Sequence, residues 1–335
     1  MARTAFEEAV VSGTNIHAGA KASDGTFPHN YWVSPNGNDG IGNGSQYAPY
    51  ATVRRAIRNA TNLRGDRILV TAGSYAETID IGSGSTAGGN TNGGYAKGAL
   101  QIIGDDSIHN GRTQIIGDGL TEQATLRVQA GYLGGFVLKN VELDTNDLTR
   151  PCLELVTSNT AAATATNTDL RFVLDNVAVR AGANATTEPS VGFLFRGATL
   201  GIIRNCIASG CLHGMAFAGS ANNRCEDLEF YDCEFYDNTT TDIATLSNAD
   251  GVGGVVTVGE VVGMRNVRFW RPRFYDRGAT AVTNYADITV ATAVNCGFFE
   301  FIAARDVADN TLMVLPADWI AIGRSAAGAE FIIAT

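Results

Sequence analysis

From about residue 125 the chain repeats one short pattern, apolar-x-apolar-x-(Asn/Asp)-apolar-x-apolar. The copies are FVLKNVEL from Phe136, FVLDNVAV from Phe172, GIIRNCIA from Gly201, LEFYDCEF from Leu228, VRFWRPRF from Val267 and ATAVNCGF from Ala291. Their central residues are Asn140, Asn176, Asn205, Asp232, Arg271 and Asn295, spaced 36, 29, 27, 39 and 24 residues apart. Sequence periods of about 20–50 residues mark a solenoid, in which each repeat is a coil stacked on the one before.

The pattern also states how each coil is bent. Alternation at period two gives strands with one buried face. The central Asn or Asp breaks the alternation, with apolar residues at −4 and −2 and then at +1 and +3. Two short strands therefore meet at a one-residue bend, and Asn and Asp tolerate the left-handed backbone that such a bend needs. Stacked coils put these side chains in a column, where amides can bond along the stack. Arg271 departs from the pattern, so its coil is expected to bend differently. The +1 positions, Val141, Val177, Cys206, Cys233, Pro272 and Cys296, form one inward column in which cysteine serves as a small buried hydrophobe.

Ahead of the repeats, Tyr31 to Ser34 read as a strand and Pro35 to Gly40 as a loop of turn formers. Residues 50–60, YATVRRAIRNA, are the one helix: Val53, Ala56, Ile57 and Ala60 share a face, with Arg54, Arg55 and Arg58 opposite. Asp66 to Thr71 read as a strand and Ala72 to Tyr75 as a turn. Residues 1–29, rich in Ala, Gly, Ser and Thr, read as an arm ordered by a partner. From Thr311 the coil pattern stops, and three apolar bursts end in Phe331-Ile332-Ile333. The expected organisation is an arm at 1–29, a solenoid at 30–310 with its helix at 50–60, and a β cap or intersubunit segment at 311–335.

Composition narrows the function classes. The 335 residues carry a net charge of −10, and only three of the basic residues are lysines, Lys21, Lys97 and Lys139. Without a basic cluster there is no electrostatic footprint for nucleic acid or for an anionic membrane. No apolar run reaches the roughly 18 residues of a membrane helix. The first residues carry acids where a secretion signal needs an apolar stretch, so no signal peptide is expected, and the chain stays in the cytosol or leaves by another route such as cell lysis. The six cysteines, Cys152, Cys206, Cys211, Cys225, Cys233 and Cys296, form no CxxC pair and read as free buried thiols. The four histidines are scattered, so no metal site is expected. No P-loop and no strand-linked GxGxxG appears, so no cofactor is expected either.

The segments YWVSPNGNDG, YATVRRAIRNA and GDRILVTAGSYAETIDI, followed by the repeats, resemble right-handed parallel β-helix proteins of the pectate-lyase-like superfamily. That resemblance implies an all-β, single-stranded right-handed solenoid whose helix caps its open end; capping is needed because an open end exposes apolar residues and strand edges. The superfamily includes pectate lyases, pectinesterases, polygalacturonases and bacteriophage tailspikes. The polygalacturonase motifs are out of order here: Asp105-Asp106 precedes Asn167-Thr168-Asp169, and no Arg-x-Lys follows His213-Gly214.

Two classes follow. The preferred one is a non-enzymatic bacteriophage virion protein, a capsid decoration or short spike on the particle exterior. It forms a homotrimer, attaches to a capsid or tail protein through residues 1–29, and has host-surface polysaccharide as a further contact. Its subunit or glycan face is Tyr231, Tyr236, Trp270, Tyr275 and Phe299, outward aromatics of the last coils. The alternative is a polysaccharide lyase or glycosidase acting through Glu229, Glu234, Asp237, Arg268 and Arg273, carboxylates one coil away from arginines.

Overall fold

A computed structural model describes residues 28–61, 64–81, 99–105, 112–117, 124–129, 135–145, 150–156, 171–181, 191–219, 224–247, 263–275, 284–288, 292–303, 313–316, 319–325 and 330–334. Most of them lie in short strands, nearly all parallel, stacked in three columns. The first column opens with Asn30–Val33 and continues through eight coils. Coils 1 to 4 begin at Arg67–Val70, Gln101–Gly104, Phe136–Lys139 and Phe172–Asp175. Coils 5 to 8 begin at Thr199–Arg204, Cys225–Tyr231, Gly263–Trp270 and Thr292–Val294, the last continuing past Asn295 into Cys296–Ala303, and Trp319–Ser325 closes the column. The second column runs from Gly73–Ala76 through Arg273–Tyr275 to the end of Cys296–Ala303, and the third from Ile79–Ile81 to Met313–Val314. Each coil returns to the next parallel strand, and such crossovers are right-handed almost without exception. The chain is a right-handed parallel β-helix.

The interior is built by register. Leu138, Leu174, Ile203, Phe230, Phe269, Phe298 and Ala321 sit directly above one another and are essentially inaccessible to solvent. Phe230 and Phe269 stack with centroids 4.2 Å apart and planes 10° from parallel. One glycine is required by this packing: a Cβ on Gly201 would lie 2.3 Å from the Phe172 ring. All six cysteines are free and buried, as the sequence predicts. Burial pushes the Cys225 thiol up to about 12 and raises Cys152 and Cys206 well above the ordinary thiol value.

The bend residues are where the repeat places them. Asn140, Asn176, Asn205, Asp232 and Arg271 all have φ between 52° and 57°. In coils 3 to 7 the chain passes from the first column to the second through this bend and at most one further residue. Two expectations need correction. Arg271 bends as its neighbours do, with φ 52°, because its guanidinium bonds Asp232 through two 2.8 Å contacts and replaces the amide bond of the ladder. Asn295 is not the sixth rung. Glu300, φ 56°, takes that place, since Arg271 N–H donates to the Phe299 carbonyl.

Asn295 belongs instead to a second ladder that kinks the first-column strands. Leu200, Asp227, Asn266 and Asn295 hold φ values of 57°, 53°, 52° and 54°. Asn266 Nδ2 donates to Asp227 Oδ1 at 2.7 Å, and Asn295 Nδ2 to Asn266 Oδ1 at 3.2 Å. Cys296 accordingly leaves the Pro272 column, and Phe301 follows the bend in its place; the pairing register shifts between Phe299 and Phe301.

Both ends are closed. The helix is Val53–Asn59, shorter than the 50–60 expected, with Val53, Ala56 and Ile57 buried. Two carboxylates trim its start. Asp39 accepts from the N–H groups of Ala51 and Thr52, and the buried Glu77 accepts from those of Val53 and Arg54. Orphan N–H groups at a helix start want such acceptors, and the helix dipole favours their negative charge. Gly73 to Tyr75, read as a turn, are strand: Gly73–Ala76 pairs with Thr113–Ile116, and the turn is absorbed by Gly73 at φ 140°. At the far end Trp319 is fully buried against Phe298, and Glu330–Ala334 pairs antiparallel with Trp319–Ser325. The arm expected at 1–29 lies outside the described residues except for its last two.

Candidate functional site

The outward positions of coils 6 and 7 carry nearly all the residues singled out above. Register places Glu229 beside Arg268, Tyr231 beside Trp270, Glu234 beside Arg273 and Tyr236 beside Tyr275. Coil 6 thus presents a row of acids, Glu229, Asp232 and Glu234, and coil 7 a row of arginines, Arg268, Arg271 and Arg273. They close as ion pairs of 3.4, 2.8 and 3.3 Å. Glu229 also accepts from Trp270 Nε1 at 2.6 Å. The Arg271 hydrogen bonds hold Asp232 below the usual carboxylate range. Burial, then the charge of Glu229, raises the Tyr231 phenol. Asp237 does not join the row: with φ 56° it forms the bend leaving the second column, as Gly210, φ 67°, does one coil earlier.

The aromatics form a stripe along the solenoid axis. Trp270 and Phe299 stack face to face, centroids 4.6 Å apart and planes 22° from parallel. Register continues the stripe from Tyr231 through Trp270 and Phe299 to Ile322, which is 41% exposed. Ring faces turned on one another leave edges outward. A sugar platform needs an open ring face, whereas a packed protein interface accepts edges.

A second cluster was missed from the sequence. Glu142 and Asp144 alternate outward on Val141–Thr145 of coil 3. Glu142 is held by Arg112 at 3.3 Å, Gln114 at 3.2 Å and Arg180 at 3.6 Å. Burial, then the charge of Glu142, pushes the Asp144 carboxyl up. The signal is the period-two alternation after Asn140, VELD, which turns both acids away from the interior.

Among the described residues no group of three or more His, Cys, Asp and Glu side chains is placed to hold a metal ion. Among the same residues no helix is long and apolar enough to cross a membrane.

No family model matches the sequence, and no curated protein matches it. Solved structures share its fold. A rhamnogalacturonan lyase is 12% identical, with 91% of this chain and 79% of that chain covered and a TM-score of 0.46. Pectin methylesterase from carrot is 13% identical, covers 87% and 88%, and gives 0.42. ORF18 of Geobacillus virus E2 is 12% identical, covers 94% and 64%, and gives 0.37. At this distance the likeness bears on the fold, and chemistry has to be read from the side chains.

Proposed function

We propose that this chain is a structural β-helix protein of a bacteriophage particle exterior, which packs against copies of itself through the first column. The observation that carries this is the Tyr231–Trp270–Phe299–Ile322 stripe. It stacks Trp270 face to face on Phe299 and lies beside a bend with no inserted loop, so a second flat surface can approach closely. The acids beside it support the same reading: each is an ion pair spanning two coils, which fits a surface held rigid. The particle placement rests on the sequence resemblance to spike proteins. The attachment arm at 1–29 belongs to the same proposal.

The test is the solution mass of the purified full chain by light scattering behind size exclusion, for the native chain and for Trp270→Arg. A multiple of the chain mass that falls to one chain in the variant supports the reading. A native monomer throughout the micromolar range sinks it.

The depolymerase alternative finds one favourable observation, the Glu142–Asp144 pair. A carboxyl pushed up beside one held by arginines is the division of labour that acid/base catalysis uses. A cleavage screen on acidic and capsular polysaccharides, repeated with Asp144→Asn, tests it; absence of turnover by the native chain removes it.

A further inference from the structure

We propose that two copies pair through the first column about a two-fold axis that lies along the strands, between coils 6 and 7. This rests on the self-packing reading above and adds its symmetry and register.

A rotation about such an axis reverses the direction of the solenoid and keeps each position along the strand. Coil 6 of one copy then meets coil 7 of the other, coil 5 meets coil 8, and coil 4 meets the closing strand Trp319–Ser325. Each contact forms twice, as isologous interfaces require.

The first column has two outward positions per strand in this region. At one of them the register reads Val173, Ile202, Glu229, Arg268, Gly297 and Ile320. Folded on its midpoint, this row brings Glu229 to Arg268, Ile202 to Gly297 and Val173 to Ile320. Opposite charges meet. Ile202, 46% exposed, faces the one position without a side chain, and Ile320, 44% exposed, faces another aliphatic residue.

At the other position the row reads Asp175, Arg204, Tyr231, Trp270, Phe299 and Ile322. Folding it brings Tyr231 to Trp270 and Arg204 to Phe299, a ring pair and a cation beside a ring. It also brings Ile322 to Asp175, whose charge is already met by Lys139 at 3.2 Å and Arg204 at 3.0 Å within its own chain.

The charge order selects this arrangement. In a parallel three-fold assembly equal coils meet at equal height, so acid row faces acid row and arginine row faces arginine row. Like-charge juxtaposition is how interfaces reject wrong partners, and opposed rows are how they fix register. Reversal of the solenoid about this axis puts the acids of coil 6 against the arginines of coil 7.

The experiment is the mass of the full chain by light scattering over the micromolar range, with charge reversals. Glu229→Arg and Arg268→Glu are each expected to be monomeric alone. Mixed in equal amounts they are expected to form a two-chain species, because arginines then face glutamates at both contacts. Ile202→Asp, at an exposed position one coil from Glu229, is expected to weaken pairing by about tenfold or more while leaving the fold intact by circular dichroism.

A two-chain native mass with rescue on mixing supports the proposal. A three-chain mass, or two chains without rescue and with no effect of Ile202→Asp, overturns the two-fold pairing but leaves self-packing standing. A native monomer overturns both.

Discussion

Leu200 offers a direct test of what the bend ladders contribute. It holds φ 57° at the place where the next three coils have Asp227, Asn266 and Asn295. Register puts it beside Asp227, since Thr199 pairs with Glu226 and Gly201 with Leu228. A left-handed backbone costs an ordinary L-residue about 1–2 kcal/mol, and Asn less because its amide bonds locally. Asn at 200 also brings an Nδ2–H to the Asp227 carboxylate, extending a ladder whose next bond, Asn266 to Asp227, is 2.7 Å. At this half-buried site such a bond is worth about 1 kcal/mol. Against these stands the half-buried Leu side chain, about 0.5–1 kcal/mol. The net expectation for Leu200→Asn is about 1 kcal/mol of added stability. Leu200→Gly is the control, since it relieves the backbone and makes no bond, and is expected to fall below the Asn variant. Urea midpoints measure both, with amide exchange in Thr199–Arg204 as the local readout, because solenoids open repeat by repeat. An Asn variant no more stable than the native chain, or a Gly variant above it, would refute the ladder as a source of stability.

Three further outcomes are expected. Glu77→Ala removes the acceptor of two helix N–H groups and the 3.5 Å partner of Arg54, and is expected to cost about 2–4 kcal/mol in a urea titration. His213 is held neutral by burial, its pKa lowered to about 4 against an ordinary 6.5. The unfolded chain therefore binds the extra proton first, and stability is lost as pH falls from about 6.5 towards 4, by up to about 3 kcal/mol. His213→Gln should flatten that part of a melting-temperature profile. The buried thiols should resist a thiol-specific dye in the native chain and react, all six, in guanidinium; fast native labelling of Cys206 or Cys233 would contradict the closed column.

How much of this was legible in the sequence depended on the range of the cause. The bend is local: one residue must hold positive φ, and Asn140, Asn176, Asn205 and Asp232 announced it. The inward places of Cys206 and Cys233 and the outward rows followed from period two once the bend was fixed, which is why Glu229, Tyr231, Glu234 and Tyr236 were placed against their true neighbours. What depended on stacking between coils was not legible. ATAVNCGF satisfies the repeat pattern as well as the true copies do, and only pairing with the neighbouring coil shows that Asn295 rides on Asn266 and Glu300 on Arg271. Arg271 looked like an exception because its compensation, the Asp232 carboxylate, is 39 residues away. The grip of Arg112 and Arg180 on Glu142 is likewise a cross-coil property, and no spacing within one coil reveals it.

Asp144 is the place where the two functional readings part, and a single substitution separates them. Burial, then Glu142, raises its carboxyl, while Arg180 lowers it in part. A carboxyl with a raised folded-state value favours its protonated form, so the ionised form costs stability at neutral pH. Stability recovers as pH falls through the raised value towards the ordinary range of Asp. Asp144→Asn keeps the shape and removes the charge, so its melting temperature should exceed that of the native chain at pH 7 and the difference should shrink on acidification. Both readings share that outcome, because functional sites store strain that stability alone would remove. They differ in what else changes. A surface residue of a packing protein loses nothing, and the solution mass stays that of the native chain. An acid catalyst takes all polysaccharide cleavage with it. Gain of stability with unchanged assembly and no activity to lose leaves Asp144 a solvation defect of coil 3. Gain of stability with loss of a measured cleavage would move the functional centre to the second column and make the aromatic stripe a secondary feature.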